Sequence, residues 1–159
     1  MAQFEHSPMN KLKAHYSNTY RESLLSKIES FQGQVFTRKD LESDYSNQAQ
    51  LRLNRALKAF LKEGLILKIS HGLYAKAEPM SFTNGKIKPV LQESFETVAM
   101  EALNKLNVKW ELGSAIQEYN RGETTQVPAV FSVQLKSRFR GKISVEGRSL
   151  VFERKVNAR

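Results

Sequence analysis

Between residues 47 and 58 the chain reads NQAQLRLNRALK, and its polar members are of types that can read nucleic-acid bases. A carboxamide can pair with adenine through two hydrogen bonds, and an arginine fork can do the same with guanine. Asn47, Gln48, Gln50, Arg52 and Arg55 place five such groups within roughly two helical turns. Lys58 adds a charge suited to a phosphate.

No grouping in the chain suits catalysis in the same way. There is no cysteine, which excludes a disulfide framework, a zinc–thiolate site and a cysteine nucleophile together. His6, His15 and His71 are scattered, and neither a glycine-rich phosphate loop nor a two-histidine metal spacing is present. Asp40, Glu42 and Asp44 are close in sequence but do not share one helix face, and an acidic helix start is the simpler explanation. The residues point to a binding protein that needs no cofactor and no metal, rather than to an enzyme.

Charge points the same way. Lys and Arg number 25 against 16 Asp and Glu, and the net charge of +9 favours polyanionic partners, of which nucleic acid is the commonest in the cytoplasm. The C-terminal end is especially basic. Lys136, Arg138, Arg140, Lys142, Arg148, Arg154, Lys155 and Arg159 are opposed there only by Glu146 and Glu153. Lys136, Arg138, Arg140 and Lys142 form a candidate second phosphate-contacting surface on strands. No apolar run approaches the ~20 residues of a membrane span, and the N-terminus lacks the apolar core of a secretory signal. The expected location is cytoplasmic, with no membrane partner.

The elements that must position these side chains follow from periodicity. Residues 1 to about 15 show no clear period and read as a loose arm or a first helical turn. Tyr20, Leu24, Leu25, Ile28 and Phe31 recur at spacings of three and four and predict a helix over 17–31. Thr37 with Asp40 forms an acidic variant of a capping box and opens a short helix to about Asp44. Ser46 or Asn47 caps a third helix, whose apolar stripe is Leu53, Ala56, Leu57, Phe60 and Leu61, and Gly64 closes it. The period then changes to two: LILKIS, a turn at His71–Gly72, and LYAKA predict a hairpin.

Residues 78–89, marked by Pro79, Asn84, Gly85 and Pro89, read as a linker or an extended connection. A helix over 92–106, a shorter one over 114–119 and strands beyond Gln126 follow. Three helices and a hairpin give the order of a winged helix-turn-helix, with the third helix in the major groove. Thr37, Arg38, Asn47, Gln48, Gln50, Arg52, Arg55, Lys58, Lys68, His71 and Lys76 are its candidate DNA-binding residues. Lys68, His71 and Lys76 would meet phosphate from the hairpin, while Tyr74 packs the returning strand onto the helices. The expected fold is α+β: a winged helix-turn-helix domain over 1–80 and a small, basic α+β domain with antiparallel strands over 81–159.

Two stretches resemble the abortive-infection type IV antitoxin family, the AbiEi-like winged-helix transcriptional regulators. The first is the helix closing on Leu61 to Gly64, followed by a hairpin of the form I-x-x-x-x-x-G-x-Y from Ile66 through Gly72 to Tyr74. The second is YNRGETTQVPA, residues 119–129, similar to the family's G-L-S-T-Q-V-P-A segment with Glu123 and Thr124 in place of Leu and Ser. A final G-R-x-L-x-F pattern falls on Gly147, Arg148, Leu150 and Phe152, so the likeness spans residues 35–154. The resemblance implies an autorepressor that binds double-stranded operator DNA with repeated half-sites, as a homodimer or as pairs. It also implies a partner toxin of nucleotidyltransferase type. Two alternatives stay open: an antitoxin acting mainly by opposing that toxin, and an RNA-binding module working through the basic C-terminal strands. The residues of TTQVPA themselves suit a helix-to-strand junction, where hydroxyls and an amide satisfy backbone groups.

Overall fold

Alternation along three short strands organises the molecule. The computed structural model describes residues 8–153, with side chains from residue 19, and shows a mixed α+β fold with five helices among the described residues. The first half contains α1 (Pro8–Ser30), β1 (Val35–Thr37), α2 (Arg38–Leu41), α3 (Asn47–Glu63), β2 (Ile66–Ser70) and β3 (Leu73–Ser81). The strands form an antiparallel sheet in the order β1-β3-β2, with Phe36 opposite Tyr74 and Leu67 opposite Ala75.

Successive strand residues point to opposite faces, and here each face meets its own core. Phe36, Ile66 and Tyr74 pack with Leu24 and Ile28 of α1, Leu41 of α2, and Leu53, Leu57 and Phe60 of α3. Val35, Leu67, Ile69, Leu73, Ala75 and Ala77 pack on the other side, against α4 and the C-terminal strands. Leu73 to Ala77 are therefore five consecutive buried residues, where the sequence pattern predicts alternate exposure. A sheet covered on both sides loses its polar face.

Local signals set most boundaries. The Thr37 side chain accepts from Asp40 N while Asp40 Oδ2 accepts from Thr37 N at 2.8 Å, so the capping box forms. α2 stops at Leu41, short of the expected Asp44. There Glu42 and Asp44 accept hydrogen bonds from backbone N–H groups two residues ahead, a local bonding pattern that competes with helix. Ser46 caps α3, and Gly64 ends it in the left-handed region at φ 79°, with its N–H on Leu61 O and the next N–H on Phe60 O. A Cβ at Gly64 would lie 3.2 Å from Pro79 Cβ, a second reason for glycine. α1 begins at Pro8, nine residues before the expected start; proline suits a first helical position. Residues 1–7 and the basic positions Arg154, Lys155 and Arg159 lie outside the described residues.

The stretch expected as a linker or an extended connection is extended, and it forms a hairpin. β3 continues to Ser81 and pairs antiparallel with β4 (Ile87–Leu91) around a turn at Asn84–Gly85, so the boundary expected at residue 80 falls inside a strand. Phe82 N donates to Lys86 O, and counting pairs from there puts Pro79 opposite Pro89 at a pair that exchanges no ladder bonds. That position tolerates proline in both strands. Then come α4 (Phe95–Lys105), β5 (Trp110–Leu112), α5 (Ser114–Asn120), β6 (Ser132–Leu135), β7 (Ser144–Val145), β8 (Arg148–Ser149) and β9 (Val151–Glu153). β5 pairs antiparallel with β6, and β7 with β8. These are the antiparallel strands expected of this half; beside them β6 pairs parallel with β9, and residues 136–150 carry the chain back to the start of that neighbouring strand. Val133, Ile143, Val145 and Leu150 deliver this half into the core of β1-β3-β2 and α4.

Two polar ties fix α4 to the first half. Glu101 Oε2 accepts from Gln34 N at 2.7 Å and Val35 N at 3.1 Å. Asp40 Oδ2 lies 2.8 Å from Lys105 Nζ. Burial alone pushes the Asp40 carboxyl up, but hydrogen bonds from Lys105 and from the Thr37 backbone and hydroxyl, with the Lys105 charge, hold it below the ordinary carboxylate value.

Replacing Glu101 with Ala leaves two part-buried N–H groups without this acceptor. It should lower the unfolding free energy by about 1–3 kcal/mol, read as a shift of the urea midpoint at unchanged m-value. Because Asp40 has a depressed pKa in the folded state, its contribution is fully present above its unfolded pKa of about 4 and is lost as pH falls through the folded value. Thermal unfolding at pH 7 and pH 3 should therefore show a smaller acid-induced drop in Tm for Asp40→Asn than for wild type. An equal drop in both would remove Asp40 from the acid response.

Candidate nucleic-acid interface

α3 buries Ala49, Leu53, Leu57 and Phe60, and the 100° step per residue sends Asn47, Gln48, Leu51, Arg52, Arg55, Lys58 and Lys62 to the opposite, exposed face. No acidic residue occurs in α3 before Glu63, and Glu63 is paired with Arg21 of α1. That face is therefore uniformly polar or cationic, apart from Leu51, which is 54% exposed.

The arginines on this side differ in what holds them. The Arg52 guanidinium lies 4.2 Å from the centroid of the Tyr20 ring and 4.0 Å from Glu42, so it is oriented by α1 and by the α2–α3 turn. Arg55 and Lys58 are exposed and carry no ion pair among the described residues. Arg38 of α2 reaches across to α3, donating to Gln50 Oε1 at 2.5 Å and to Asn54 Oδ1. Gln50 also donates from Nε2 to Asp44 O at 2.7 Å. Both ends of the Gln50 amide are thus engaged in fixing the turn that joins the two helices, and Thr37 is occupied by its cap.

The β2–β3 turn brings a second group of side chains to the surface. His71 is exposed at its tip, and Gly72 adopts φ 69° there, in open space, so that the left-handed turn alone asks for glycine. Lys68 is exposed and lies on the same sheet face as Ile66 and Tyr74, the face that α1 and α3 cover. Tyr74 is buried against Phe36, the ring centroids 5.9 Å apart.

Lys76 does not reach the surface, which corrects its place among the phosphate-contacting residues. It is only 7% exposed, and its Nζ donates to Phe31 O at 2.6 Å and Glu29 O at 3.2 Å at the C-terminal end of α1. Strand parity puts it on the same side as Tyr74, where α1 covers it. The ammonium satisfies carbonyls at the negative end of the helix, a favourable place for a cation.

The second basic group also differs from its expectation. Lys136, Arg138, Arg140 and Lys142 lie in the loop between β6 and β7 rather than on strands. Phe139 anchors this loop by an edge-on contact with Phe152, centroids 5.8 Å apart, and Arg138 and Arg140 flank it at the surface. Lys136 is paired with Glu111 at 3.3 Å, while the other three carry no ion pair among the described residues. Three further residues join the α3 side without having been singled out: Leu51, Asn54 and Tyr45, the last 68% exposed in the α2–α3 turn. Leu51 breaks the apolar stripe of its helix, and that misfit was the available signal.

Among the described residues no group of three or more His, Cys, Asp or Glu side chains could hold a metal ion, and no helix is long and apolar enough to cross a membrane. No protein-family model, characterised protein or solved structure matches the chain.

Lys76→Met removes the donor from two helix-end carbonyls while keeping the side chain's bulk. It should cost about 1–3 kcal/mol in urea unfolding. Any affinity for DNA should stay within twofold of wild type at a temperature where both are folded. A large loss of DNA affinity at unchanged stability would return Lys76 to the interface.

Proposed function

We propose that this protein is a sequence-specific DNA-binding transcriptional regulator of winged helix-turn-helix type, and that it represses its own operon in the manner of an antitoxin. The observation that carries this reading is the exposed face of α3. It offers amides and arginines of base-reading type, with no carboxylate before Glu63 to repel phosphate. The element order α1-β1-α2-α3-β2-β3 and the sheet order β1-β3-β2 support a reader helix followed by a wing. Asn47, Gln48 and Arg55 read base edges, Leu51 offers an apolar contact to a thymine methyl, and Arg52, Lys58, Lys68 and His71 hold phosphates. The antitoxin part of the reading, with a nucleotidyltransferase-type toxin as partner, rests on the resemblance of GETTQVPA and the Ile66–Tyr74 hairpin.

A gel-shift series with the DNA upstream of the coding sequence tests the reading against a scrambled duplex of equal length. The expected result is a preference for upstream DNA that persists at moderate salt, with log Kd against log salt rising by about 0.9 per phosphate contact. Arg55→Ala should weaken the specific complex by about 1–3 kcal/mol and narrow that preference, whereas Lys68→Ala should weaken both duplexes alike. Equal losses on both duplexes from both variants would remove α3 as the reader, and no preference for upstream DNA would remove the function.

A further inference from the structure

A cavity of about 500 Å³ opens between α2, the α2–α3 turn and the β2–β3 turn. Its lining combines Leu73, Leu106 and the Tyr45 ring with Arg38, Lys39 and His71, while Glu42 is its sole carboxylate. Ligand sites have this size and this mix of an apolar body with a few convergent polar groups. The arginine there is a good receptor for an anion that arrives with better acceptors than it now has. Arg38 donates through both terminal nitrogens to two neutral amide oxygens, those of Gln50 and Asn54. A carboxylate can take both nitrogens of a guanidinium at once, and a charged acceptor bonds about twice as strongly as a neutral one.

We propose that this cavity is a binding site for a small organic acid with an apolar or aromatic body. The carboxylate takes the Arg38 fork, Lys39 and His71 lie beside it, and the body rests against Leu106 and Tyr45. Occupation exchanges the amides of Gln50 and Asn54 for the ligand. It therefore loosens the bond by which α2 holds the first turns of α3, and bound acid and the exposed face of α3 become coupled. The binding site itself stands independently of whether α3 reads DNA; the coupling rests on that reading.

Naphthalene-2-carboxylate, its uncharged methyl ester and the full chain make the test, followed by titration calorimetry. The acid should bind wild type at least tenfold more tightly than the ester. Arg38→Gln should remove that advantage while leaving the ester's affinity unchanged, and Leu106→Trp, which fills the cavity, should abolish both. Equal binding of acid and ester to wild type overturns the proposal, as does no binding of either at millimolar concentration. Melting curves for each variant identify loss of fold, and the acid-to-ester ratio on wild type needs no variant at all. A second arm adds saturating acid to the gel-shift with upstream DNA, where the apparent Kd should change at least threefold. If the acid binds but the DNA affinity is unmoved, the coupling fails and the site stands. If no specific DNA complex forms with or without acid, the DNA reading fails and the calorimetry still decides the site.

Discussion

The sheet β1-β3-β2 has helices on one face and α4 with the C-terminal strands on the other, and the rest of the structure depends on that two-sided burial. One strand, β3, supplies Tyr74 to the first core and Leu73, Ala75 and Ala77 to the second. Any slip of one residue would exchange these sets and drive Lys76 into the apolar core beside Val98 and Leu103. Register is therefore held by both cores at once. The lysine that results from this parity is accommodated because the end of α1 presents carbonyls at the required place.

A sheet so covered leaves little polar surface of its own, and the acidic side chains of the framework are largely spent on holding elements together. Asp40 joins α2 to Lys105, Glu63 joins α3 to Arg21, Glu96 joins α4 to Arg148, and Glu101 receives the backbone of Gln34 and Val35. Arg55, Lys58 and Lys62 on α3 and Arg138, Arg140 and Lys142 on the loop after β6 carry no such pair among the described residues, whereas Arg52 and Lys136 do. The net charge of +9 is thus unevenly expressed: neutralised between elements, and left over at Arg55, Lys58 and Lys62 of α3 and at the arginines around Phe139. Such an arrangement gives a polyanion a local field rather than a diffuse one.

The α2–α3 turn is the place where framework and surface meet. Ser46 caps α3, Asp44 caps Ser46, and Gln50 and Arg38 lock the two helices to each other. This turn sets the angle at which the exposed face of α3 is presented. It also forms one wall of the cavity beside His71 and Gly72, so that Arg38 belongs both to that wall and to the lock between α2 and α3.

The amino-acid sequence by itself determined the local elements: the capping box of Thr37 and Asp40, the amphipathic stripe of α3, the stop at Gly64 and the turn at His71–Gly72. Each of these is written in neighbouring residues, where periodicity and side-chain capping act over a few positions. It also identified the polar and basic face of α3, because that face is the complement of a clear apolar stripe. Only the tertiary structure decided which faces of the strands meet solvent, since that depends on partners far along the chain. So Lys76, polar and alternating in sequence, is buried under α1. Prolines 79 and 89, which read as breaks, stand opposite one another in a hairpin where neither N–H is needed. The parallel pairing of β6 with β9 is likewise invisible locally: the direction in which two strands meet is set by the path between them and by the core they must share.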